Sequence, residues 1–337
     1  MKRLLFCLLL ITAGEWWSVL SSGVDSNLRG VSIVRNSQRA ENPTIWASGS
    51  HGAVLKSTDS GKNWERLRIQ EGEKLDFRGV QALDANVAYV MSSGEGEKSR
   101  IYKTVDGGKT WTLQYTDRRK EFFLDGLACV STTNCFALSD PVGGKFILLH
   151  TADGTHWTEL PRDKMPVALE KEGAFAASNS SLLLLGEQDI YFGTGGPAAR
   201  VFHSADLGKS WTVEETPILS GKASQGIFSL ARSGDTLVAV GGDYEKPEQT
   251  EGTAAYSLDQ GKTWTRATKA PGGYRSSVAK GAHGFVAVGP NGADSSEDGI
   301  DWEPAGKTSL NAVEFCGDEG WGAGAKGLVA RFLEQKH

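Results

Sequence analysis

One short pattern recurs along this chain and limits what the chain can fold into. It reads Ser/Thr-x-Asp-x-Gly-x-x-Trp and occupies residues 57–64, 104–111, 204–211 and 257–264. Looser copies lie at residues 151–157, one residue shorter, and at 295–302, where Glu297 takes the acidic position. Six of the ten tryptophans end a copy. The pattern therefore indicates a repeated structural unit.

The residue types of this pattern suit a tight turn between two strands. Hydroxyl and carboxylate oxygens accept hydrogen bonds from nearby backbone N–H groups, glycine adopts a positive φ, and tryptophan covers the turn. Each turn offers one carboxylate, whereas calcium requires six to eight oxygens, so we expect neither a metal nor a cofactor. Structural roles are assigned to Asp59, Trp64, Asp106, Trp111, Asp153, Trp157, Asp206, Trp211, Asp259 and Trp264.

The spacing of the repeats indicates the architecture. The tryptophans that end the copies lie at 64, 111, 157, 211, 264 and 302, and three further apolar segments align within each interval. Seven copies of the first segment can be aligned, at residues 28–31, 77–80, 124–127, 175–177, 227–230, 274–277 and 310–313. Periods of this length are typical of four-stranded propeller blades. The sequence predicts an all-β, seven-bladed β-propeller as a single domain over residues 15–337.

The two ends of the chain are expected to close the ring. The seventh copy ends near Phe332 without the turn pattern and so lacks a fourth strand. Residues 17–20 resemble a fourth strand that has no blade of its own. Pairing the two would complete the last blade and remove the exposed edges of a linear array.

The N-terminus has the features of an export signal. Lys2 and Arg3 precede the apolar run 4–11 and the small residues Ala13 and Gly14. Such a run is too short for a stable membrane span. We expect a signal peptide over residues 1–14, a periplasmic or secreted protein, and no transmembrane anchor after cleavage.

Two cysteines flank a short predicted hairpin turn. Cys129 and Cys135 could face each other at disulfide distance on adjacent strands. The alternative is that both are small buried residues with free thiols. Cys316 has no evident partner in the sequence.

The charge of the chain bears on its partners. The net charge is −5 and no Lys/Arg cluster occurs, which argues against nucleic acid and anionic membranes as partners. We expect a monomer whose partner-binding patch is local.

A functional face can be located from the repeats. In a propeller, the starts of the first strands and the loops between the second and third strands share one face, and the Asp turns lie on the other. The second-to-third loops depart from the repeat, as at residues 139–144 and 241–244. We place there a binding site for a partner protein or an anionic ligand or glycan, built from Arg29, Arg78, Arg275, Asp140, Asp243, Tyr244 and Tyr274. The arginines could hold a carboxylate bidentately, or they could form a solvated ion-pair ring.

The turn pattern and its spacing resemble the Asp box of BNR-type β-propellers. The seven blades, the export signal and the channel-mouth arginines further resemble the photosystem II stability/assembly factor family and its non-photosynthetic bacterial relatives. This resemblance implies a non-catalytic binding or assembly role, in which Arg29, Arg78 and Arg275 contact a partner protein from the envelope or outside the cell.

Asp boxes also occur in glycoside hydrolases, and this resemblance implies a second hypothesis. A sialidase-like or polysaccharide-cleaving enzyme would use two carboxylates on the same face. The candidates are Asp140, Glu172 and Asp243, with Tyr244 or Tyr274 as a nucleophile in a sialidase.

Overall fold

A computed structural model describes residues 16–35 and 42–333 of the chain. The predicted signal peptide, residues 1–14, lies outside the described residues. Seven antiparallel sheets form the described structure, with two short 3-10 turns at Gly96–Lys98 and Ala325–Gly327. None of the described residues belongs to a helix long and apolar enough to span a membrane.

Each sheet is one blade, and its strands are given from the first to the fourth. Blade 1 contains Leu28–Val34, Thr44–Gly49, Ala53–Ser57 and Glu65–Leu67. Blade 2 contains Phe77–Ala82, Ala88–Ser92, Arg100–Thr104 and Thr112–Thr116. Blade 3 contains Leu124–Cys129, Cys135–Val142, Lys145–Thr151 and Thr158–Glu159. Blade 4 contains Leu182–Leu185, Asp189–Gly193, Arg200–Ser204 and Thr212–Glu215.

The remaining blades follow the same order. Blade 5 contains Lys222–Ser233, Thr236–Asp243, Ala254–Ser257 and Thr265–Arg266, and the two-residue strand Gly195–Gly196 adds a fifth member beside its first strand. Blade 6 contains Ser277–Gly281, Gly284–Gly289, Gly292–Ser296 and Glu303–Pro304. Blade 7 contains Ala312–Cys316, Glu319–Ala323, Leu328–Phe332 and, as its fourth strand, Trp17–Ser21.

The seven blades form a closed ring. The first strand of every blade contacts the first strand of the next, and that of blade 7 contacts that of blade 1. These seven strands therefore surround the central axis. The prediction of an all-β, seven-bladed propeller is confirmed, with one extra short strand in blade 5.

The two chain ends pair as the sequence predicts. Trp17–Ser21 lies antiparallel to Leu328–Phe332, from Trp17 opposite Phe332 to Ser21 opposite Leu328. Ser22 N and Oγ both donate to the Gly327 carbonyl oxygen, at 3.0 and 2.7 Å. The ring is thus closed by backbone hydrogen bonds between residues more than 300 positions apart.

The Asp boxes are hydrogen-bonded turns between the third and fourth strands. In the second box, Gly108 N donates to Thr104 Oγ1 and Thr110 N donates to Asp106 Oδ1, both at 2.9 Å. The Trp111 indole N–H donates to the Gly108 carbonyl oxygen at 3.1 Å. Hydrogen bonds from the Thr110 side chain and backbone lower the pKa of Asp106 to about 2.

The sixth box has a different register from the one expected. Ser296 Oγ donates to Asp298 Oδ1, and Asp298 Oδ1 accepts a hydrogen bond from Ile300 N. Asp298 is therefore the acid of this box, and Glu297 is not. The box has the short form also found at residues 151–157.

The boxes join neighbouring blades. Trp111 of blade 2 packs edge-on against Trp46 of blade 1, with ring centroids 6.3 Å apart, and Trp157 of blade 3 packs similarly against Tyr89 of blade 2 at 6.1 Å. Each box tryptophan packs in the apolar cluster shared by its own blade and the preceding one. Cys129 and Cys135 are directly opposed in blade 3 and form a disulfide, with their Cα atoms 4.0 Å apart.

One of the aligned first segments is corrected by the structure. Residues 175–177 form a loop, and the first strand of blade 4 is Leu182–Leu185. The loop ahead of that strand is long enough to lie over the mouth of the channel, where Phe175 stacks on Phe228.

Candidate functional site at the channel mouth

The site is built from a repeated irregularity at the start of the first strands. In blades 1, 2, 3 and 5, the pairing of the first and second strands shifts by one residue at a β-bulge. A bulge turns the extra side chain away from the regular pleat. The extra residues are Arg29, Arg78, Asp125 and Phe228, and all four line one cavity.

The basic side of this cavity consists of Arg29 and Arg78. Arg78 Nε contacts Asp76 Oδ2 at 2.8 Å, and its Nη1 donates to the Ala176 carbonyl oxygen at 3.3 Å. Arg29 makes no ion pair among the described residues, and its buried Nε has no hydrogen-bond partner there. Burial, together with the positive charge of Arg78, lowers the pKa of Arg29. A bound anion would accept a hydrogen bond from Arg29 Nε and would raise the pKa of Arg29 again.

The acidic side consists of Asp125 and Asp140. Asp125 is only 1% exposed, and its Oδ2 has no hydrogen-bond partner within residues 16–35 and 42–333. Burial and the neighbouring charge of Asp140 raise the pKa of Asp125 well above its ordinary value. Burial also raises the pKa of Asp140 to about 6, although Asp140 Oδ1 accepts a hydrogen bond from Ala174 N at 2.9 Å.

Aromatic rings also line the cavity, beside the charged groups. Phe228 stacks on Phe175 with centroids 3.8 Å apart and meets Tyr274 edge-on at 4.8 Å. Tyr244 lies further out and is 49% exposed. Burial raises the pKa of Tyr274, so its hydroxyl stays protonated at neutral pH. The cavity has a volume of about 490 Å³, which is within the range of ligand pockets.

The structure corrects the assignment of Arg275. Val286 pairs with Ala279 as Trp46 pairs with Ser32, so Ser276 occupies the position of Arg29. Arg275 lies one residue earlier, ahead of the strand Ser277–Gly281, and its side chain is buried inside the protein. Its guanidinium is 2% exposed and forms a buried ion pair with Asp294. Arg275 is therefore not at the channel mouth.

Two of the three predicted catalytic carboxylates are also misplaced. Glu172 is buried, forms an ion pair with Arg200 and accepts a hydrogen bond from the Thr194 hydroxyl at 2.6 Å. Asp243 is 1% exposed and accepts a hydrogen bond from Gln225 Nε2 at 2.9 Å. Neither lines the cavity, whereas Asp140 does. Both carboxylates are therefore engaged by partners inside the protein.

Of the residues predicted for binding, the structure brings five together around the cavity, and they are Arg29, Arg78, Asp140, Tyr244 and Tyr274. The aligned first segments place Asp125 at the channel mouth in the position of Arg29, and sequence reasoning did not include Phe123, Phe175 and Phe228 in the site. The signal for Phe228 was available, because Phe228 follows the first apolar residue of its aligned segment as Arg29 does. Phe123 precedes its strand and Phe175 lies in the misaligned loop, so the repeats gave no signal for them.

Comparison with known proteins agrees with this fold. Residues 13–164 match the family described as photosynthesis system II assembly factor YCF48, and residues 255–266 match the BNR/Asp-box repeat. No curated protein matches the chain. The chain is an Asp-box propeller that resembles the YCF48 family.

Solved structures share the same architecture at low sequence identity. A structure described as YCF48 bound to D1 peptide is 13% identical, with a TM-score of 0.63 and coverage of 96% of this chain and 97% of that one. YCF48 from Cyanidioschyzon merolae is 17% identical, with a TM-score of 0.62 and coverage of 94% and 98%. Virginiamycin B lyase from Staphylococcus aureus is 13% identical, with a TM-score of 0.67 and coverage of 95% and 99%. At these identities the likeness shows the fold.

Proposed function

We propose that this chain is an exported, non-catalytic propeller that binds a partner protein at the channel mouth, through a carboxylate-bearing segment of that partner. The observation that carries the proposal is the pair of buried polar atoms without partners, Arg29 Nε and Asp125 Oδ2, at one cavity. Buried polar atoms in folded proteins are almost always hydrogen-bonded. A ligand that accepts from Arg29 and donates to Asp125 would satisfy both.

The basic side favours a carboxylate as the group recognised. An arginine without an ion-pair partner, next to a second arginine, gains most from a bidentate anion. Because Arg78 pairs with Asp76 and not with Asp125, the charged residues of the mouth do not close into a ring that satisfies itself. The carboxylate would be an acidic side chain or a chain terminus of the partner.

The acidic and aromatic sides favour a peptide over a simple anion. A peptide offers N–H donors for Asp125 and apolar side chains for the wall around Phe228. The similar fold of YCF48 bound to D1 peptide supports a protein partner. Export is supported by the basic and apolar residues 2–14 and by the Cys129–Cys135 disulfide, since disulfides persist in oxidising compartments.

The glycoside hydrolase hypothesis receives less support from the geometry. A hydrolase needs two carboxylates on either side of a scissile bond. Of the three candidates only Asp140 lines the cavity, and Glu172 is held by Arg200. The second carboxylate of the cavity, Asp125, is 1% exposed and lies next to Asp140 on the acidic side. We therefore propose a binding function without catalysis, in a monomeric protein.

A displayed library of linear peptides, selected on residues 15–337, tests the proposal. We expect the selected peptides to carry a carboxylate that is required for binding, and Arg29→Met to weaken their binding by about tenfold or more. Lys280→Met, on an exposed strand end, is the matched control and should bind normally. Peptides that bind Arg29→Met as tightly as the wild type would contradict the proposal, as would glycan hydrolysis abolished by Asp140→Asn.

A further inference from the structure

The junction between blades 6 and 7 differs from the other six junctions. At those six junctions, the Asp box of one blade lies between two neighbours. One is the turn that joins the first and second strands of the same blade, called its first turn, and the other is the third strand of the preceding blade. Gly107 N, for example, donates to the Asn86 carbonyl oxygen within blade 2, and the Gly107 carbonyl oxygen accepts from Lys56 Nζ of blade 1 at 3.2 Å. Blade 7 has no Asp box, because its third and fourth strands come from opposite ends of the chain.

The tryptophan of the missing box is nevertheless present. Arg331 pairs with Trp321 and Ser18, as Lys56 pairs with Trp46 and Glu65, so Trp17 is the equivalent of Trp64. Trp17 is 3% exposed and packs in the cluster of Val286. In five boxes the indole N–H donates to the glycine carbonyl of the turn at 3.0–3.2 Å. The buried Trp17 Nε1 has no partner among the described residues.

A cavity of about 480 Å³ lies where the missing turn would be. Its lining includes the first turn of blade 6, the first turn of blade 7 and Ser295 on the third strand of blade 6. Ser295 occupies the position filled by longer side chains in the other blades, such as Lys56 and Lys103. The cavity therefore occupies the space that an Asp box fills at the other junctions. The small side chain of Ser295 enlarges it.

The walls of this cavity are aromatic. Trp16 and Phe315 both meet Phe332 edge-on, with ring centroids 5.7 and 5.0 Å apart. All three rings are partly exposed. Phe285 and Val286 continue the apolar lining into the blade. An aromatic side chain would match these walls by edge-to-face packing.

The rim of the cavity is acidic. Glu297, Asp301 and Asp318 are exposed at its edge, and within the described part of the chain none of them forms an ion pair. Glu303 also lies there, paired with Lys269 at 2.6 Å. Such a rim attracts lysine or arginine and repels acidic segments.

We propose that the blade 6–7 junction is a second binding site, which accepts a segment of a partner protein carrying an aromatic side chain flanked by lysine or arginine. The segment replaces the missing seventh Asp box in trans. Its aromatic ring fills the cavity, and its basic side chains face the acidic rim. This site is independent of the channel mouth, which lies on the opposite face.

The probe for this site is the blocked tripeptide acetyl-Arg-(4-fluoro-Phe)-Arg-amide, followed by fluorine NMR on residues 15–337. We expect saturable broadening of the probe signal. Acetyl-Glu-(4-fluoro-Phe)-Glu-amide should not bind, because the rim repels it. The double variant Glu297→Lys/Asp318→Lys should weaken binding of the basic probe by about tenfold.

A blocking variant separates this cavity from other sites. Ala282→Trp adds an indole at the exposed rim without removing a core side chain, and it should abolish binding. Asp235→Trp places the same indole on the corresponding turn of blade 5, where a box is present, and should bind normally. Arg29→Met should also bind normally, so failure of the channel-mouth proposal would leave this result unchanged.

Three outcomes would overturn the inference. The first is the absence of saturable binding. The second is binding that survives Ala282→Trp. The third is that the cavity belongs to this chain itself, shown either by loss of binding when residues 1–14 are retained or by a dimer that Ala282→Trp dissociates in sedimentation velocity.

Discussion

Arg275 and Arg29 lie near the same face of the propeller, at positions one residue apart in the repeat, and they differ in how their hydrogen-bonding groups are used. Arg275 is buried and paired with Asp294, while its Nη1 donates to the Tyr274 carbonyl oxygen at 2.9 Å. Arg29 has a buried Nε without a partner in the described part of the chain. The first arrangement is complete without a ligand, and the second is not.

Whether a charged side chain has its hydrogen-bond partners within the protein thus indicates its role better than its residue type does. A buried ion pair that is fully hydrogen-bonded holds its surroundings in place, and removing one member leaves a buried charge. An unpaired guanidinium at a cavity contributes no such contact, so its removal should affect binding more than folding. Substitutions of Arg275, of Asp140 with its control Asp243, and of Arg29 test how the buried pair and the channel mouth differ.

The largest effect is expected from Arg275→Met. Asp294, which is 3% exposed, would be left as a buried charge, and the free energy of unfolding should fall by about 3–5 kcal/mol. Urea unfolding followed by tryptophan fluorescence measures this loss. The double variant Arg275→Met/Asp294→Leu should recover most of it. A loss below about 1 kcal/mol for the single variant would show that the pair is not structural.

The next effect concerns Asp140 and pH. Its pKa of about 6 in the folded state exceeds its ordinary value of 3.8, so the folded protein keeps this proton to higher pH than the unfolded chain. Stability from this group is therefore complete below about pH 4 and is lost as pH rises towards 6 and above, by at most about 3 kcal/mol. Asp140→Asn should remove that loss, together with the part of the Asp125 pKa shift that the charge of Asp140 causes. The measurement is the difference in unfolding free energy between variant and wild type from pH 4 to 8.

Asp243 provides the opposite control for the pH experiment. Burial acts to raise its pKa, but hydrogen bonds led by that from Gln225 hold the pKa below its ordinary value. Its contribution is present above the pKa of the unfolded chain and is lost as pH falls. The Asp243→Asn difference curve should therefore slope the other way, and two curves of the same sign would refute the assignment of Asp140.

The smallest effect is expected from Arg29→Met. Because Arg29 makes no ion pair with any described residue, and burial and the charge of Arg78 lower its pKa, the free energy of unfolding should change by no more than about 0.5 kcal/mol. The same urea titration serves, and Arg275→Met is the matched substitution. A loss as large as that of Arg275→Met would remove the distinction between the two arginines.

The fold could be predicted from the sequence because the same pattern of strands and turns recurs in each blade. Each Asp box marks one junction between strands, and the unmatched segment at residues 17–20 indicated closure. The register at each blade was harder to predict, since a β-bulge changes which residue faces the channel without changing the apolar pattern. Arg275 directly follows the apolar Tyr274, as Arg29 follows Leu28, but Ser276 occupies the position equivalent to Arg29.

One sequence signal could have located the Arg275 pair. Asp294 occupies a third-strand position that is filled by Leu55 in blade 1 and Tyr102 in blade 2. A carboxylate at a core position requires a nearby cation, and Arg275 is close in the chain. The Glu172–Arg200 pair could not be found in this way, because Glu172 lies in a loop that follows no repeat.

The pairing of Trp17–Ser21 with Leu328–Phe332 also determines the order in which this protein can mature. A ribosome or a translocation pore delivers the N-terminal strand first, and its partner arrives only when almost the whole chain has emerged. Six blades could assemble as the chain is delivered, but the last one waits for the final residues. Until then the apolar side chains of residues 17–20 have no place to pack, so a chaperone that holds this short segment would protect the nascent protein from aggregation.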